Sequence, residues 1–158
     1  MNKSALIDKI IKVLRSELET YVRAANSSHE EATAEENRAE NKYDTRGLEA
    51  SYLATGQANK VMELEDAISA FEDLIAKSFD DNVIDVGALV ELDQNGEKAF
   101  YFIGPSAGGT EITDGVRDVL VITPQSPLGI QLQGQQQGDR LELTLAGAKQ
   151  LIQIVNVC

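Results

Sequence analysis

The chain has 158 residues, 42% hydrophobic and 25% charged, with a formal charge of −12 at pH 7. This length suits one or two small domains. The negative charge is spread evenly, about −6 on each side of residue 80, which excludes an acidic tail and argues against nonspecific nucleic-acid binding, since that needs clustered Lys and Arg.

From Ser4, a plausible N-cap, apolar residues recur at Ile7, Ile11, Leu14, Leu18, Tyr21 and Ala25, with small residues at Ser28 and Ala32. Steps of three and four predict one face of a long helix. A second run has the same alternation: Ala50, Ala54, Gln57, Val61, Leu64, Ile68, Phe71 and Ile75. Paired antiparallel, Ile7 with Ile75, Leu14 with Ile68, Leu18 with Leu64, Ala25 with Gln57 and Ala32 with Ala50 share one register, in which the two residue numbers always total 82. That register predicts a helical hairpin turning near residue 41, and the heptad period fixes the turn to within about four residues. A helix from 7 to 37 would give an arm of about 45 Å. Large side chains fill the base of the seam; small or polar ones fill the tip.

Seven acids crowd the predicted tip: Glu30, Glu31, Glu35, Glu36, Glu40, Asp44 and Glu49, interleaved with Arg38, Lys42 and Arg46. They can be read as solvated helix ends laced by pairs three and four residues apart. They can also be read as carriers of two apical carboxylates, Glu40 and Asp44, placed to meet a hard cation such as magnesium.

Ser78 to Asn82 breaks the helical pattern and marks a boundary, so domains are expected at 1–78 and 82–158. Strand signals follow at Ile84–Leu92, Lys98–Ile103, Val119–Thr123, Leu141–Leu145 and Leu151–Val157. Asp93-Gln94-Asn95-Gly96 reads as a hairpin turn. Ser126-Pro127 reads as the N-cap and first residue of a short helix ended by Gly134. The expected fold is α+β: a helical hairpin plus about five strands on a twisted antiparallel sheet.

No catalytic constellation is visible. The single histidine, His29, lies in the first predicted helix and not in the β-rich half, so no His-based triad or zinc cluster is expected there. Gly104–Gly109 lacks the spacing of a phosphate-binding loop. The lone cysteine, Cys158, permits no internal disulfide and suits a reducing compartment. With no leader-type apolar run and no span of about 18 apolar residues, a cytoplasmic location without membrane contact is expected.

Ser126-Pro127-Leu128-Gly129, followed at fixed spacing by Gly134, Gly138 and Asp139, is similar to the C-terminal signature of the bacterial Gre transcript-cleavage factors. Ile103-Gly104-Pro105 is similar to that family's pattern after its second strand. Val119–Ile122 stands where the family has a strand, and Leu14-Arg15-Ser16-Glu17-Leu18 resembles part of its first helix.

The resemblance implies an N-terminal antiparallel coiled coil with its tip at about residues 36–47 and a C-terminal FKBP-like domain, without implying prolyl isomerase activity. It implies docking on the rim of the secondary channel of bacterial RNA polymerase, with Gly104, Pro105, Ser126, Pro127, Leu128 and Gly129 as docking residues. The coiled coil would then enter the channel. Two tip acids would help hold the second magnesium ion, so that the polymerase's own active site cleaves backtracked RNA. The factor would be no enzyme itself, would bind no cofactor stably, would meet the RNA 3′ end only indirectly, and is expected to be a monomer. The family's tip acids are three residues apart, whereas Glu40 and Asp44 are four apart. Relatives with altered tips inhibit or modulate the polymerase, so an inhibitor or occluding regulator without cleavage stimulation is the alternative. Ile130 and Gln135-Gln136-Gln137 stand where the family usually has Arg and Lys, leaving a less basic docking surface. An interaction module with another partner is a third reading.

Overall fold

The computed structural model describes residues 2–33, 46–74 and 83–158. The expected boundary at 78–82 lies outside them. The chain divides into two compact units, Met1–Ile11 with Ser69–Cys158, and Lys12–Ile68.

Helix α1 spans Lys3–Thr33 and α2 spans Arg46–Glu72. Asn2, not Ser4, caps α1: its Oδ1 accepts from the Ala5 N–H at 3.3 Å. Ser4 and Asn2 are both good cap residues, and the one that lies just before the helical backbone takes the role. Within 12–68 the burial follows the expected stripe. Leu14, Ser28, Leu64 and Ile68 are buried, and Leu18, Tyr21, Ala25, Ala54, Gln57 and Val61 are half-buried. In the other unit, Ile11 is only half-buried, whereas its neighbours Leu6, Ile7 and Ile10 are buried.

The sheet unit differs from expectation in three ways. Its described residues form six strands rather than five: β1 Leu89–Gln94, β2 Glu97–Ile103, β3 Glu111–Thr113, β4 Asp118–Ile122, β5 Arg140–Leu145 and β6 Ala148–Val157. The order is β3-β4-β2-β1-β6-β5. The sheet is also mixed, because β2 and β4 run parallel with Ile103 opposite Ile122. After β2, the chain crosses to the edge as β3, and residues 114–117 return it as β4 beside β2. Asp-Val-Leu-Val-Ile suits the interior position, and the three-residue Glu-Ile-Thr suits an edge.

The third difference is the start of β1 at Leu89, not Ile84. Gly87 takes a left-handed φ of 93°, which interrupts an extended run. Ile84 pairs instead with the segment after the short helix: its N–H donates to Gln135 at 2.8 Å and its carbonyl accepts from Gly134 at 3.0 Å. Two-residue turns close the β1–β2 and β5–β6 hairpins. Asn95-Gly96 has φ values of 54° and 92°, and Ala146-Gly147 has 50° and 81°, as type I′ turns require.

Helix α3, Pro127–Leu132, contributes Leu132 to a core on one sheet face with Val90, Leu92, Ile103, Leu143 and Ile154. Side chains alternate along β2, so Phe102 faces the other way. There it meets Phe71, with ring centroids 6.2 Å apart.

Candidate functional site

Glu40, Asp44 and the expected turn near residue 41 lie outside the described residues. Of the acids flanking them, Glu30, Glu31 and Glu49 are described and exposed. Among the described residues no group of three or more His, Cys, Asp or Glu side chains could hold a metal. An open cleft of about 440 Å³ is lined by Ala25, Asn26, His29 and Thr33 of α1 and by Ser51, Ala54, Thr55 and Ala58 of α2. Exposed His29 is therefore a cleft-lining residue on the helix surface.

The two C-terminal segments singled out in the sequence come together, and the reason is topological. Parallel neighbours β2 and β4 end side by side, so the loops that leave them emerge from the same end of the sheet. The Gly104 N–H donates to the Ile122 carbonyl and the Gly109 N–H to the Val121 carbonyl, both at 2.8 Å. Gly108 lies against Thr123, whose Cγ2 would stand 3.3 Å from a Cβ there.

At this end the expected docking residues divide by role. Ser126 Oγ donates to the Thr123 carbonyl at 2.8 Å and accepts from the Gly129 N–H at 3.0 Å. It is the N-cap of α3, with Pro127 at the first turn, where a missing N–H costs nothing. Gly129 is buried, and a Cβ there would stand 1.9 Å from the Thr123 carbonyl oxygen. Gly104 is buried too; its Cβ would meet Val121 Cγ1 at 2.8 Å and Phe71 Cζ at 2.9 Å. Leu128 packs half-buried against the core. Pro105 is half-buried, Pro127 is exposed, and Ser106 Oγ is buried without a hydrogen-bond partner among the described residues.

Two further residues of α3 contribute here, Ile130, expected on the docking surface in place of a basic residue, and Gln131, which the sequence reading did not place. Ile130 is 66% exposed on α3. The Gln131 amide binds Pro127 and Thr144: Nε2 donates to the Pro127 carbonyl and Oε1 accepts from the Thr144 N–H, both at 2.9 Å. A glutamine in a glutamine-rich run carries no sequence signal for such a tie between helix and edge strand.

Charge is concentrated elsewhere on the unit. Lys98 pairs with Glu91 at 2.6 Å, and the hydrogen bond to Glu91 raises the lysine pKa above its ordinary value. The Arg117 guanidinium lies 5.2 Å from the centre of the Phe100 ring. Burial raises the Tyr101 pKa. No helix among the described residues is long and apolar enough to cross a membrane.

No family model matches the chain, and neither does any curated protein. Solved structures to which it is similar include the GreA factor homolog 1 (Gfh1) of Thermus thermophilus, 23% identical over 94% of each chain with a TM-score of 0.40. Gfh1 of Thermus aquaticus is 22% identical over 98% of this chain and 92% of that one, with a TM-score of 0.39. The prokaryotic transcription elongation factor GreA/GreB from Nitrosomonas europaea is 19% identical over 60% of this chain and 78% of that one, with a TM-score of 0.37. Gfh1 and GreA/GreB transcription elongation factors are thus among its structural neighbours.

Proposed function

We propose that the chain is a transcription elongation regulator that binds bacterial RNA polymerase and acts through the polymerase's own active site. In this reading α1 and α2 form an antiparallel coiled-coil hairpin, and the sheet with α3 is an FKBP-like docking domain at the rim of the secondary channel. The acidic tip, with Glu40 and Asp44, reaches toward the active-site magnesium and modulates cleavage of backtracked RNA. The chain does no catalysis itself and holds no cofactor of its own.

One observation carries the reading. The two motifs of the Gre resemblance, Ile103-Gly104-Pro105 and Ser126-Pro127-Leu128-Gly129, are distant in sequence yet share one end of the sheet and are linked through Thr123 and Ile122. The hairpin is supported by the buried stripes and by the cleft that α1 and α2 both line along 25–33 and 51–58. The common sum of 82 sets 25–33 opposite 49–57.

A second reading is an occluding regulator that blocks the channel without stimulating cleavage. The four-residue spacing of Glu40 and Asp44 favours it, because two carboxylates so spaced present a different geometry from a pair three apart.

A transcript-cleavage assay on a stalled, backtracked elongation complex separates the two. The first reading expects faster cleavage with the native chain and loss of that effect in Glu40→Ala and Asp44→Ala. The second expects slower or blocked cleavage. Failure of the chain to bind purified polymerase at low salt would rule out both.

A further inference from the structure

Strand β5 is an edge of the sheet, and an edge strand presents a row of unpaired backbone groups. The two-residue turn Ala146-Gly147 makes Leu145 and Ala148 a hydrogen-bonded pair. Alternation then points the backbone groups of Leu141 and Leu143 inward at β6, and those of Arg140, Glu142 and Thr144 outward. The outward N–H of Thr144 is met, since it donates to Gln131 Oε1 at 2.9 Å. Among the described residues, no hydrogen bond reaches the outward N–H or carbonyl of Arg140 or Glu142. Both side chains are exposed. The opposite edge is blunted: β3 has three residues, and Lys9 Nζ donates to its Thr113 carbonyl at 3.3 Å.

We infer that this edge pairs with the β5 edge of a second copy of the chain, antiparallel about a two-fold axis at Leu141. The occupant follows from the charge pattern, which is complementary to itself in this register alone. Centring the pair on Arg140 or on Glu142 sets like charges opposite each other, which destabilises a cross-strand pair. Centring it on Leu143 needs the Thr144 groups that Gln131 already holds. Centring it on Leu141 sets Arg140 of each copy opposite Glu142 of the other and matches every free outward N–H with a carbonyl. Lys149 also binds Glu142 at 2.7 Å, and a carboxylate accepts from both cations. Half-buried Leu141 meets its own counterpart at the axis. The pair is closed, because each copy uses up the edge that would add a further strand. The contact is small, below the size of a standard interface, and a charge of −12 on each copy opposes it, so the dimer is weak and concentration-dependent. It departs from the monomer that the resemblance implies and does not depend on the polymerase reading.

The test is sedimentation equilibrium of the full chain from micromolar to millimolar concentration at about 0.15 M salt, where the screening length of about 8 Å weakens the repulsion between copies. The native chain is expected to dimerise as concentration rises. Arg140→Glu and Glu142→Arg should each weaken self-association about tenfold, because both cross-strand pairs then carry like charges. An equal mixture of the two variants should recover dimers, since every glutamate at one position then faces an arginine at the other. The double variant, with the charges exchanged, should associate as the native chain does. Circular dichroism reports whether each variant stays folded. Amide hydrogen exchange needs no variant: the Arg140 and Glu142 amides should slow as native concentration rises, while the Thr144 amide, already bonded to Gln131, should not. A native chain that stays monomeric throughout the range would overturn the inference and leave the edge to a foreign strand. So would single variants that associate like the native chain, a mixture of folded variants that stays monomeric, or dimerisation without slowing at Arg140 and Glu142.

Discussion

The carbonyl oxygen of Thr123 occupies the space in which a side chain on residue 129 would begin: a Cβ there would stand 1.9 Å from it. The same carbonyl accepts the Ser126 hydroxyl at 2.8 Å. The closest atom is backbone, not the end of a flexible side chain, so it cannot yield cheaply; the Ser126 hydroxyl stands 2.9 Å away as well. Gly129→Ala should therefore destabilise the sheet unit by about 3 kcal/mol, as overpacking of a rigid site does. Urea unfolding measures this. A native-like midpoint would mean that the turn relaxes.

Ser126 tests the cap separately from the close packing. Its Oγ accepts the Gly129 N–H at 3.0 Å, one of the donors that a helix start leaves without an internal partner. Ser126→Ala should cost about 1 kcal/mol, and Ser126→Asp should recover much of it, because a carboxylate accepts the same bond and suits the helix dipole. Equal losses in the two variants would mean that the hydroxyl's donation to Thr123, which aspartate cannot make, is the larger contribution.

These two residues also show where sequence reading reaches its limit. A Ser-Pro pair before an apolar run signals a helix start locally, and α3 begins there. The glycine is visible as a residue, but its reason is a contact with Thr123 that depends on how the chain enters the helix. The long stripes were legible because burial repeats with the helical period, and Leu14, Leu64, Ile68 and Phe71 are buried as the stripe requires. The parallel pairing of β2 with β4 was not, because register between strands 15 or more residues apart leaves no local pattern. Strand β3 was missed because Glu-Ile-Thr is too short to show alternation. The acids at the apex were visible as composition, and Glu40 and Asp44 fall outside the described residues.

Asp114 makes the acid limb of stability measurable. Its Oδ1 accepts from the Val116 N–H at 3.2 Å and the Arg117 N–H at 3.1 Å. The bond from Val116 is the main cause that lowers its pKa below the ordinary 3.8, with Arg117 and Lys9 adding to it against some desolvation. A depressed folded pKa stabilises the fold above the unfolded value. That contribution is lost as pH falls from about 4 through the lower folded pKa. Asp114→Asn keeps an acceptor but has no carboxyl to titrate, so its unfolding midpoint should fall less steeply below about pH 4 than that of the native chain. Parallel curves would show that other carboxyls dominate the acid limb.

Gln57 sits on the half-buried stripe of α2, and its Oε1 is buried with no hydrogen-bond partner among the described residues. A buried acceptor left unmet costs about 1–3 kcal/mol. In the antiparallel register expected from the sequence, Gln57 would stand opposite Ala25, a side chain too small and apolar to satisfy it. Gln57→Met has nearly the same length and removes the polar atom, so it should raise stability by about 1 kcal/mol in thermal unfolding of the full chain. Gln57→Ala removes the acceptor but leaves a gap, and should gain less or nothing. If methionine instead destabilises, the amide has a partner in solution, and the seam at this level is held by polarity rather than by packing.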